Sequence, residues 1–183
     1  MARQADDRMQ PSGSSGAAVV VGLLVLGGCL GAFAVAFQWT QTNGCLAFYG
    51  GPAARAIVAA PHVELWRLEA APATGRISAV ARCDVSQAPG LVHLRRGLVE
   101  DANFDWRPMA AGRLPAAAWE VAIAFAPAAG APPAAIVVVG GTAGRREVCL
   151  VGRPGRTGLG RLEKGLATWI ADACPAARLP RGE

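Results

Sequence analysis

Residues Trp119–Ala126 read WEVAIAFA, in which Trp119, Val121, Ile123 and Phe125 alternate with Glu120, Ala122, Ala124 and Ala126. A period of two marks a strand with a buried face. The run AIVVVG (135–140) follows across the Pro-rich turn PAAGAPP, and GGTAG then leads into REVCLVG (146–152). Three consecutive strands joined by short turns predict an antiparallel meander.

Further back, Val63, Leu65 and Arg67 alternate with Glu64, Trp66 and Leu68. Ile77, Ala79, Ala81, Cys83 and Val85 then alternate with Arg76, Ser78, Arg82 and Asp84, which turns Cys83 toward the core. PGLVHLRRGLVED (89–101) places Leu91, Leu94 and Leu98 at helical spacing behind a proline suited to a first turn. Asn103–Arg107 reads as a short strand or extended link. Near the C-terminal end, Gly158–Cys174 sets Leu159, Leu162, Leu166, Trp169, Ile170 and Ala173 on one face, a helix made to cover a sheet. The expected class is α+β. It has one mostly antiparallel sheet of about five to six strands, an amphipathic helix after strand two and a C-terminal helix packed on the sheet. Of Trp66, Trp106, Trp119 and Trp169, three occupy apolar faces of these elements, and core packing is expected ahead of a binding cleft.

The run AAVVVGLLVLGGCLGAFAVAF (17–37) carries no charge and is long enough as a helix to cross a hydrocarbon core of about 30 Å. With Trp39 at interfacial depth and polar residues from Gln38, it reads as a single transmembrane helix. A cleavable signal would have a shorter apolar core, and here the run continues past Cys29. The alternative is a lipoprotein anchored at Cys29, because Leu26-Gly27-Gly28-Cys29 resembles a lipobox. The polar tether that should follow such a cysteine is absent. The expected organisation is a disordered cytoplasmic tail (1–16), a transmembrane helix (17–38), a tether (39–61), an extracytoplasmic domain (62–175) and a flexible tail (176–183).

Arg3 and Arg8 before the span, against Arg55 alone soon after it, favour the N-terminus in and the domain out, at a bacterial cytoplasmic membrane. Cys45, Cys83, Cys149 and Cys174 agree, since an even number suits two disulfides in an oxidising compartment, with three pairings open. Gly27 and Gly31 form a small-xxx-small pair that lets another helix approach closely, so a membrane-protein partner joins the lipid bilayer as an expected contact.

Little catalytic chemistry is visible. Asp101-x-Asn103-x-Asp105 opens like a calcium loop, but positions six and twelve hold Trp106 and Gly112 where glycine and glutamate are required. His62 and His93 lie in no metal-ligand pair, and no Cys-x-x-Cys or Gly-x-Ser-x-Gly occurs. No cofactor, metal site or catalytic residue is expected. GGTAGRR (140–146) lacks the spacing and lysine of a Walker loop and reads as a hairpin. Arg145 and Arg146 there, with Arg153 and Arg156 in RPGRTGLGR, are candidate anion contacts. The net charge of +5 is modest and its arginines are scattered, which gives nucleic-acid binding no support.

These features favour a non-enzymatic accessory, assembly or scaffolding subunit anchored in the membrane. A periplasmic module binding a small or anionic ligand is the alternative, and an envelope hydrolase comes third.

Overall fold

The computed structural model describes residues 14–40, 42–70, 77–106, 119–142 and 145–177. Contacts divide the chain into two units, Met1–Thr40 and Gln41–Glu183. The first contains one helix, α1 (Ser14–Thr40). Its segment Gly16–Phe37 is 22 residues long with a mean hydropathy of 2.5 and is buried against no protein. At 1.5 Å per residue that segment is about 33 Å long, the thickness of a hydrocarbon core. Nothing lies within 4 Å of where a Cβ would stand on Gly27 or Gly31, so the small-residue face is open.

The second unit is an α+β fold around one antiparallel sheet. In chain order it comprises α2 (Asn43–Tyr49), α3 (Gly51–Ala59), β1 (His62–Ala70), β2 (Ile77–Asp84), α4 (Leu91–Val99), β3 (Trp119–Ala126), β4 (Ala135–Thr142), β5 (Arg145–Leu150), β6 (Thr157–Gly158) and α5 (Leu162–Ala173). The sheet order is β2-β1-β3-β4-β5-β6, with every neighbouring pair antiparallel. The meander β3-β4-β5 is as the alternation requires. The one crossover runs from β2 through α4 to β3 and leaves β1 between them.

The sixth strand is not the stretch expected near residue 105. Asp105 makes only an isolated bridge to Gly158, and Thr157–Gly158 supplies the edge strand by pairing with Glu147 and Val148. A residue inserted at Glu120 shifts the register between Trp119 and Val121, one residue opposing two as in a β-bulge. Trp119 is therefore half-buried and outside the core, while Val121, Ile123 and Phe125 belong to it. Of the tryptophans expected in the core, only Trp169 packs against it. Trp66 lies on the other sheet face, beneath Arg82 at 4.5 Å.

Val63 and Leu65, Val121, Ile123 and Phe125, Val137 and Val139, and Val148 and Leu150 build one continuous apolar sheet face. Leu91, Leu94 and Leu98 of α4 and Leu166 and Ile170 of α5 close over it. Within the stretch 39–61, expected as a tether, α2 and α3 are part of this cover. Cys45 and Tyr49 of α2 and Ala53, Ala54 and Ile57 of α3 are buried in the same core. Turn residues and weak helical propensity disguised two short helices whose stability comes from packing. Gly50 between them takes a φ of 77°, a backbone conformation that side chains with a Cβ rarely adopt.

Cys83 and Cys174 form a disulfide across 91 residues, joining β2 to the end of α5. The expected second bond is not there, and Cys45 and Cys149 are free thiols. Cys45 is fully buried in the core beneath α2, and burial pushes the Cys149 thiol up to about 11. Both behave as small apolar side chains.

Because Ile57 is fully buried while its neighbour Val58 is 53% exposed, the two test whether α3 is core or tether. Ile57→Ala should lower the unfolding free energy of the detergent-solubilised chain by about 2–5 kcal/mol. Val58→Ala should change it by less than about 0.5 kcal/mol, both read from urea midpoints.

Candidate functional site

Polar chemistry gathers where β1 begins and β2 ends, because antiparallel pairing brings Glu64 opposite Asp84. His62 Nε2 lies 3.0 Å from Glu64 Oε1, and its Nδ1 lies 3.2 Å from Ser86 Oγ. Trp66 Nε1 donates to the second Glu64 oxygen at 2.6 Å. Ser86 Oγ donates to Asp84 Oδ1 at 2.6 Å and accepts the Val63 amide at 3.0 Å. The pair His62 and Glu64 is far in sequence from the pair Asp84 and Ser86, and no spacing rule signalled the four together; the β1–β2 register assembles them.

A serine, a histidine and a carboxylate in line resemble a hydrolytic triad, so the protons decide the reading. Ser86 has one proton, and it points at Asp84 and not at the imidazole. Its lone pairs receive the Val63 amide and the His62 ring. The imidazole lies against Ser86 Oγ through Nδ1 and against the Glu64 carboxylate through Nε2. The Ser86 proton is thus directed to Asp84, where a Ser-His-carboxylate triad directs it to the imidazole. The array fastens the β2–α4 turn to the start of β1.

Hydrogen bonds from His62 and then Trp66 hold the Glu64 carboxyl below its ordinary range, with Arg82 adding to them. Asp84 is likewise lowered, by the Ser86 hydroxyl and backbone amide. An open cleft of about 380 Å³ adjoins this array, lined by Asp84, Gln87, Ala88, Pro89, Asp172 and Ala173. Trp169 closes the neighbouring side, its Nε1 donating to Pro89 O at 2.8 Å.

The four candidate arginines have separate tasks. Arg145 is exposed at the start of β5. Arg146, 5% exposed, is set between Glu163 at 3.2 Å and the bulged Glu120 at 3.5 Å. Burial raises the Glu120 carboxyl, and Arg146 opposes that rise. Arg153 donates to Ala47 O at 3.1 Å, a cation at the C-terminal end of α2. Arg156 pairs with Glu147 at 3.1 Å. The charges of Arg146, Arg153 and Arg156 thus go to carboxylates and a helix end.

The Asp101 carboxylate, first in the calcium-like spacing, is engaged within the fold. Its oxygens accept the Gly44 and Cys45 amides, each at 2.6 Å, and so cap the N-terminus of α2. Asn103 instead donates to Gly97 O at 3.1 Å. Among the described residues, no group of three or more His, Cys, Asp or Glu is arranged to hold a metal ion. No protein-family model matches this chain, and no curated protein or solved structure matches it either.

Two outcomes follow from this geometry. Asp101→Ala should cost about 1–2 kcal/mol in stability, and calcium should leave the melting temperature of the wild-type chain unchanged. Glu64 has a lower pKa folded than unfolded, so near its ordinary pKa the unfolded chain binds more protons. Its contribution is complete above the unfolded value, about 4.3, and disappears as pH falls through the folded one. Glu64→Gln should therefore flatten the acid limb of a stability-against-pH curve, measured by denaturant unfolding at successive pH values.

Proposed function

We propose that the chain is a single-pass, membrane-anchored extracytoplasmic protein that serves as a non-enzymatic accessory or assembly subunit of an envelope or membrane complex. The observation that carries this reading is the pairing of a 22-residue apolar helix, buried against no protein, with a folded unit closed by a disulfide. An apolar helix of that length is stable in lipid, and a disulfide persists where thiols are oxidised. The domain then stands on the outer side of a bacterial cytoplasmic membrane with the N-terminus inside.

The open Gly27–Gly31 face supports association through the membrane helix. Small residues there allow backbones to approach within van der Waals distance. A partner span on that face gives a subunit without chemistry of its own a means of joining an assembly. Donation of the Ser86 hydroxyl to Asp84, in place of the imidazole, supports the non-enzymatic part of the proposal.

The cleft beside Asp84 and Asp172 favours a second reading as a binding module. Its carboxylates suit a cationic group, so the ligand class changes from the anion that the arginines suggested.

Affinity purification of the full chain from its native membrane in mild detergent should recover specific membrane-protein partners. Gly27→Leu and Gly31→Leu should reduce that recovery several-fold without releasing the chain from carbonate-washed membranes. A chain isolated alone, with or without these substitutions, contradicts the accessory reading.

A further inference from the structure

The helix pair α2–α3 is apolar on both sides. Its inner side is accounted for by the core. Its outer side exposes Leu46, Ala47, Val58 and Ala59, with Leu46 at 37% and Val58 at 53%. Between Thr40 and Ala60 the sole charged residue is Arg55. A helix that turns one face to water carries polar residues there, whereas one apolar all round is surrounded by apolar material.

Trp106 extends this surface. Its ring lies 5.9 Å from that of Phe48 on α2 and is 39% exposed. The indole N–H donates to Asp101 O at 2.9 Å, so the polar edge is already satisfied within the protein. The exposed ring can enter an apolar medium without stranding a donor. Arg55 and Arg153, both exposed, flank the pair with positive charge suited to anionic headgroups.

Chain connectivity names the occupant. α1 ends at Thr40 and α2 begins at Asn43. Three peptide units span no more than about 11 Å, so covalent geometry holds the start of α2 near the end of α1 at any orientation of the folded unit. With α1 in the bilayer, that distance is within the interfacial layer, where Trp, Arg and aliphatic side chains partition together.

We propose that the outer side of α2–α3, with Trp106, docks into the headgroup–acyl boundary of the bilayer that holds α1. The folded unit is thus seated on lipid. This inference rests on the reading of α1 as a retained membrane span.

The test uses the full chain with Cys29→Ala and Cys149→Ala, reconstituted in vesicles of phosphatidylcholine and phosphatidylglycerol. An environment-sensitive fluorophore is attached at Ala47→Cys, or at Ser78→Cys on the exposed edge strand β2 as a control. Lipids spin-labelled near the top of the acyl chain should quench the first label roughly threefold more than the second. Leu46→Asp with Val58→Asp, both at exposed positions, should reduce quenching at position 47 to the control level. Equal quenching at 47 and 78 in chains that resist carbonate extraction overturns the docking and leaves the anchor intact. Release by carbonate overturns the anchor, and the docking with it. Quenching that needs a co-purified membrane protein shows a protein occupant and also overturns the proposal.

Discussion

One sheet face carries the large apolar side chains of the core and has to be kept from water, and the placement of the helices in the folded unit follows from that. β1, β3, β4 and β5 each turn alternate apolar side chains to the same side, and the register aligns Leu65 with Ile123 and Ile123 with Val137. Such a face is stable only when another layer covers it. α4 and α5 provide their leucines and isoleucine, but two helices do not span six strands. α2 and α3 complete the layer, and Tyr49 and Ile57 are among its fully buried side chains.

Polar groups in this fold are engaged mainly in holding helices and turns in place. Asp101 caps one end of α2 and Arg153 the other, while Arg95 binds the carbonyls of Val58 and Ala60 at the end of α3. Each is a charge set against the terminal dipole that suits it. Arg146 lies between two glutamates, where burial makes an unpaired guanidinium costly. Arg146, Arg153 and Arg156, read as candidate anion contacts in one dimension, thus hold structural partners in three.

Much of the fold was legible because it depends on local periodicity. The alternation in β3 and the leucine spacing in α4 needed no tertiary information, and Cys83 was placed on the correct face by counting in twos. What escaped was set by contacts across the sequence. The helices of residues 43–59 are too short to announce themselves, and their apolar positions acquire meaning only against the sheet. The His62–Ser86 array and the Asp101 cap join residues 24 and 56–57 positions apart, so no motif could flag them. The bulge at Glu120 broke an otherwise regular alternation and moved Trp119 out of the core. One disulfide of the two expected exists, since counting cysteines does not reveal that Cys45 packs as a small apolar side chain in the core and Cys149 stands half-buried on β5.

The bond between Cys83 and Cys174 sets an order on biosynthesis. Cys83 leaves the ribosome after Cys29 and Cys45, and its proper partner is made 91 residues later. During that interval the neighbouring strand β1 has emerged, yet the helix carrying Cys174 does not exist. Edge strand β2 consequently waits unclosed while β3, β4 and β5 are still to be added beside β1. Maturation of this protein finishes at the edge of its sheet, and an earlier oxidation joins the wrong sulfur.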